Sequence, residues 1–253
     1  MMHHELTAIY FMWKRELIRF YRSKSRIIGS LGMPFFLLAV VGASLNGVFQ
    51  LPGGGTNYLQ FMTPGILGMV LLFGSVFSGV IVIMDRQFGF LKETLVAPVS
   101  RTSIVIGKSL GGATTAVIQG LLMLIIALLL GVELDLSSML LVILLMALVS
   151  TAFVSLGIAL ACTMEDMHGF QLISNFLIMP MFFLSGAMFP LSTAPEPVRL
   201  ISYIDPLTYA VEALRFFLIG TSSVPLLTCL GVLSGFLILC TAAATYLFGK
   251  IES

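Results

Sequence analysis

Residues 60–84 read QFMTPGILGMVLLFGSVFSGVIVIM, a run without a single charge. Crossing the ~30 Å hydrocarbon core of a bilayer takes about 20 helical residues. In lipid, every backbone polar group must be satisfied within its own segment, which favours a helix over an open strand. This stretch therefore predicts a membrane-spanning helix. Five more runs of the same character lie at residues 27–49, 104–131, 139–163, 170–189 and 225–248, and 58% of the 253 residues are hydrophobic against 10% charged. The fold class is all-α: a polytopic membrane protein with six transmembrane helices.

The charges sit in short clusters between these runs, and they set an orientation. Lys14, Arg15, Arg19, Arg22, Lys24 and Arg26 precede the first run, and Arg86, Lys92, Arg101 and Lys108 flank the connection between the second and third. Lys250 follows the last run, which puts 11 of the 13 basic residues on one side; only Arg199 and Arg215 fall on the other. Cytoplasmic loops are enriched in Lys and Arg. Both termini are expected to face the cytoplasm, in a multi-pass protein of the plasma or inner membrane.

Composition excludes several function classes. A net charge of +1 gives no nucleic-acid footprint, so the basic clusters are read as topology signals and contacts to anionic headgroups of the lipid bilayer. Cys162, Cys229 and Cys240 show no metal-ligand spacing and are read as small packing residues, and no metal site is expected. Gly107-Lys108-Ser109 has the ending of a phosphate-binding loop, but Thr102 stands where its first glycine belongs and no strand precedes it. Lys108 reads instead as a snorkelling anchor at the edge of the third span. Gly107/Gly111 and Gly231/Gly235 then form small-xxx-small pairs suited to close helix approach. The six runs contain no Asp, Glu, Arg or His that would serve a proton relay or an ion-coupled transporter. No nucleophile, base or metal cluster converges near the bilayer, so the chain is not read as an enzyme, and energy for any transport must come from another chain.

Three segments outside the runs carry more information. In residues 1–26, Leu6, Ile9, Tyr10, Trp13, Leu17, Phe20 and Tyr21 recur at three- and four-residue intervals, with Arg15, Arg19 and Arg22 on another face. This predicts an amphipathic interfacial helix, either a plain topology anchor or one whose polar face also meets a cytoplasmic partner. Residues 27–253 are read as a single six-span membrane domain. In the second connection, about 86–101, Gly89 breaks the preceding helix and Pro98 ends a short one, with Leu91, Leu95 and Val99 opposite Lys92, Glu93 and Arg101. Such a helix suits a groove on a partner; a snug cytoplasmic turn is the plainer reading. In the fifth connection, about 190–224, Pro195 and Pro197 open one helix ending near Tyr203. Asp205-Pro206 opens another, Asp as N-cap and Pro at the first helical position, which runs to Gly220. Leu207, Ala210, Val211, Leu214, Phe217 and Leu218 make its apolar face; Thr208, Glu212 and Arg215 make its polar one, with Glu212 and Arg215 placed to neutralise each other. It is too short to span and reads as a half-inserted helix, a surface cap or a gate.

This order of pieces resembles the membrane subunits of ABC-type-2 exporters, which include drug-resistance, lipo-oligosaccharide and polysaccharide permeases. Two stretches carry the likeness best: Arg86, Gly89-Phe90-Leu91, Thr94-Leu95 and Pro98-Val99-Ser100-Arg101 before Gly107-Lys108, and Phe183 to Pro190 leading to Asp205-Pro206-Leu207-Thr208-Tyr209 and Arg215. The resemblance implies a coupling helix that docks on a separate ABC ATPase subunit, with Arg86, Gly89, Lys92, Glu93, Leu95, Pro98 and Arg101 at that interface. It implies extracytoplasmic re-entrant helices before the last span, with Asp205, Pro206, Tyr209, Glu212 and Arg215 in an outer gate. A second permease copy would complete a homodimeric pathway, ATP and magnesium would bind only on the partner, and this chain would hold no cofactor. The fifth run is rich in Met and Phe, and Asn175, Met179, Phe182 and Phe183 are read as a cargo pathway for an amphipathic drug, lipid-linked or glycan cargo, against ordinary helix packing. A self-sufficient channel and a non-transporting membrane scaffold stand as alternatives.

Overall fold

The computed structural model describes residues 2–45, 57–90, 99–135 and 137–251. It contains six helices long and apolar enough to cross a membrane: Ile27–Leu45, Tyr58–Gln87, Arg101–Leu129, Met139–Cys162, Met167–Leu184 and Leu226–Gly249. These are the six expected runs, and among the described residues there is no strand.

The second span is the centre of the bundle. The third and fourth pack on it, the sixth packs on the fourth, and the first and fifth lie more loosely at its side. Close approach comes from glycine. At Gly79 and Gly157 the second and fourth spans meet backbone to backbone: a Cβ added at either would overlap the main chain of the other helix, at Gly157 and Val76 respectively. With no hydrophobic drive between helices in lipid, small residues that let backbones touch supply the packing. A polar ladder adds to this where Ser155 meets Ser109 and Thr241, each at 3.2 Å, joining the third, fourth and sixth spans.

The first span is interrupted. Pro34 lies inside its helix, and residues Leu37–Gly42 follow as a π-helical turn. Proline removes one backbone donor, and a wider turn accommodates the shifted bonding. The fifth helix stops at Leu184, short of the expected end at 189, because Gly186 takes a left-handed φ of 72°.

The amphipathic helix Met2–Arg22 packs along the first half of the third span. Gly107 and Gly111 make this possible, since added Cβ atoms would fall 2.7 Å from the Met12 Cβ and 2.6 Å from the Glu16 Cβ. Trp13 Nε1 donates to Thr114 Oγ1 at 3.0 Å, and Glu5 accepts from the Ser100 amide and hydroxyl. The apolar stripe is therefore divided: Phe20 is buried, while Leu6, Tyr10 and Tyr21 face outward. The second small pair behaves differently, because nothing lies within 4 Å of a Cβ built at Gly231 or Gly235.

In the fifth connection, helices Glu196–Ser202 and Pro206–Ile219 form where the sequence places them. Asp205 caps the second by accepting from the Leu207 amide at 2.9 Å, and Gly220 ends it at φ 71°. Of the half-inserted helix expected here, the polar side is not at the surface: Thr208, Glu212 and Arg215 are as buried as the apolar face. The helix sits among the second, fourth and sixth spans, with Val211 against Gly68.

Candidate functional site

At the end of the bundle shared with the N-terminal helix, four charged side chains converge. Asp85 lies in the last turn of the second helix and is 2% exposed. It receives Arg15 from the N-terminal helix and Lys108 from the third span, with Arg19 at 3.6 Å. Two expectations are corrected by this cluster. The helix of the second span runs on past 84 to Gln87 and takes a buried acid with it, and Lys108 is a buried partner of that acid rather than a snorkelling anchor. Lys108 enters the interior because Gly107 and Gly111 bring the N-terminal helix over it, closing the route a long side chain would take outward.

The cluster stands at the root of the 86–101 connection, and both ends of that connection are tied down. Arg86 donates to the Met164 carbonyl at 3.1 Å and the Cys162 carbonyl at 3.3 Å, at the end of the fourth span. Gly89 turns the chain at φ 77°, as expected of a helix breaker there, and the Arg15 guanidinium lies 3.7 Å from the Phe90 ring centre. On the far side Ser100 caps the third span, bonded to Glu5, and Arg101 donates to the Gly249 carbonyl at the end of the sixth. Lys92, Glu93, Leu95 and Pro98 lie outside the described residues.

At the opposite end, Glu212 and Arg215 form a buried ion pair. Arg215 also donates to the Gly186 carbonyl at 3.0 Å and lies 4.1 Å from the Phe61 ring centre, while Glu212 accepts from Ser222 and the Ser223 amide. The pair thus ties the buried helix to the second span, to the turn after the fifth, and to the loop before the sixth. Tyr209 donates to the Tyr203 carbonyl at 2.8 Å. Pro206 starts the helix, and burial pushes the Asp205 carboxyl up to about 7, opposed by its bond from Leu207.

Between these ends a cavity of about 570 Å³ opens beside the second span, walled by the first, third and fifth. Met179, Phe182 and Phe183 line it, whereas Asn175 is half-buried and stands off it. Sequence reasoning missed the polar groups here: Glu16, Arg19, and Gln119, which donates to Ser30 Oγ at 2.8 Å.

The family model for the ABC-2 type transporter matches residues 7–219, a stretch that takes in the N-terminal helix, the ionic cluster, the cavity walls and the buried helix. The chain belongs to that family. An inner membrane transport permease of Escherichia coli strain K12, YadH, is 26% identical over 239 residues, covering 94% of this chain and 93% of the relative. Nodulation protein J of Rhizobium leguminosarum is 26% identical over 242 residues with the same coverage. The ycf38 protein of Cyanophora paradoxa, named among transport permeases, is 31% identical over 214 residues, covering 83% of this chain and 74% of its own length. This ABC-2 permease is thus a multi-pass membrane component of a transport system. Its ionic cluster and cavity lie on elements that the family match spans, whereas Gly249, which anchors Arg101, lies beyond it.

Proposed function

We propose that this chain is the membrane half of an ATP-driven exporter, two copies of which form the pathway and dock on separate ATP-binding cassette subunits. The termini and the 86–101 connection face the cytoplasm, ATP and magnesium are bound only by the partner, and the cargo is amphipathic. The observation that carries this reading is the fixation of both ends of the 86–101 connection. Arg86 holds the fourth span, Arg101 the sixth, Ser100 the N-terminal helix, and Asp85 joins the second span to the third. A push from a docked motor on the coupling residues Gly89, Lys92, Glu93, Leu95 and Pro98 would reach five helices at once. A ligand shifts a conformational equilibrium only through differential affinity for its states; here ATP would act through the motor, so no energy-coupling residue is needed along the transport path. The apolar cavity supports an amphipathic cargo over a self-sufficient, water-filled channel.

The test is purification of the tagged chain in mild detergent, with mass spectrometry of what accompanies it. A stoichiometric ATP-binding cassette protein is expected, with ATPase coupling lost in Glu93→Ala and Gly89→Leu while membrane insertion stays normal. A folded chain that carries no such partner, or unchanged transport in both variants, would overturn the docking assignment and favour a scaffold or channel.

A further inference from the structure

The cavity holds a feature that helix packing does not account for. Glu16 and Arg19 stand one turn apart on the N-terminal helix and both line its end. Glu16 is 5% exposed, makes no ion pair among the described residues, and its Oε1 has no hydrogen-bond partner. Arg19 reaches Asp85 only at 3.6 Å, because Arg15 and Lys108 already occupy that carboxylate, and its Nη1 has no partner. A buried acid and a partly exposed base thus meet at one end of the cavity, each with one buried polar atom that has no partner. Leaving such groups unmatched is costly.

From that end the cavity lining is mainly apolar, with Ser30, Ser78, Thr115, Gln119 and Gln171 as its polar members. Its lining on the second span runs from Ile81 to Met69, a rise of about 18 Å at 1.5 Å per residue. It is the length and character of an extended acyl chain, ending between Met69, Phe182 and Phe183. In a bilayer an apolar groove gains nothing by being covered with another helix rather than a lipid tail, so the head charges decide what binds. We infer that this cavity is the binding site of a phospholipid with a zwitterionic head, its phosphate on Arg19, its amine on Glu16 and one acyl chain along the second span. An anionic lipid would leave Glu16 unmatched, and a cationic amphiphile would meet Arg15, Arg19 and Lys108 together.

The inference needs the membrane fold but not the exporter reading, and its test contains no ATPase, so either can fail alone. The full chain in maltoside detergent is titrated with phosphatidylethanolamine, phosphatidylglycerol or dodecyltrimethylammonium and weighed by native mass spectrometry. One phosphatidylethanolamine per chain should be retained in preference to the other two. Glu16→Gln and Arg19→Gln should each weaken that retention roughly tenfold, the scale of one charge-assisted hydrogen bond. Gly29→Trp should abolish it at unchanged melting temperature, since Gly29 lines the cavity and a Cβ there meets nothing within 4 Å. Equal retention of all three amphiphiles by the unaltered chain, or full retention in Gly29→Trp, would overturn it.

Discussion

Asp85 and Lys108, 23 residues apart, form an ion pair in which both side chains are almost wholly buried. Removing one partner of such a pair strands the other, at about 3–5 kcal/mol. Asp85→Asn should therefore lower the melting temperature in detergent markedly, and Lys108→Met less so, because Asp85 keeps Arg15. The double variant should recover part of the Asp85→Asn loss. Thermal unfolding of the four proteins as a double-mutant cycle measures it; strictly additive losses would refute the coupling.

Arg215 makes three contacts that a lysine does not reproduce together: a bond to Glu212, a bond to the Gly186 carbonyl, and a flat face over Phe61. Arg215→Lys keeps the charge and loses the fork geometry. A loss of about 1.5–3 kcal/mol is expected, the range for hydrogen bonds to charged groups. Stability near that of the unaltered protein would mean that charge neutralisation alone holds this helix in place.

Glycines inside the spans have different jobs in space. Gly157 faces the Val76 carbonyl, whereas nothing lies near Gly231. Gly157→Ala must push two spans apart and should cost about 1–3 kcal/mol. Gly231→Ala should stay within about 0.5 kcal/mol. Melting curves of the two alanine variants side by side decide it, and equal losses would contradict the packing described here.

Hydropathy made the spans legible, because a bilayer imposes length and apolarity on each segment separately. Local chemistry did the same for Gly89, the Asp205 cap and the Gly220 stop, where one residue's backbone preference decides the outcome. The ionic cluster was hidden because Asp85 follows the last apolar residue of its run, where a charge reads as the edge of the membrane. One signal pointed to it: Lys108 lies inside the third run between Gly107 and Ser109, and a buried cation requires an acid at the same level. Nothing local marks Arg15, which joins Asp85 across 70 residues. The cavity was equally invisible, since five helices line it and must be placed before Glu16 and Gln119 can be seen to share it. The Glu212–Arg215 pair was legible in the spacing, but the burial of that side of helix Pro206–Ile219 was not, since Gly186 and Phe61 come from other segments.

The Asp205 carboxyl gives the fold a pH dependence whose sign follows from its burial. Desolvation raises it to about 7 in the folded protein, well above its value in an unfolded chain. A group raised in this way favours the folded state in its protonated form. Its contribution is complete below the unfolded value near 4 and is lost as pH rises through about 7. Between those limits stability should fall by about 1 kcal/mol per pH unit relative to Asp205→Asn, which keeps the N-cap oxygen but cannot ionise. Melting temperatures of both proteins at pH 5 and pH 8 make the comparison. The unaltered chain should lose more than the variant on going to pH 8. Parallel shifts in the two proteins would mean that Asp205 is already ionised at pH 5, with its free Oδ2 satisfied by water.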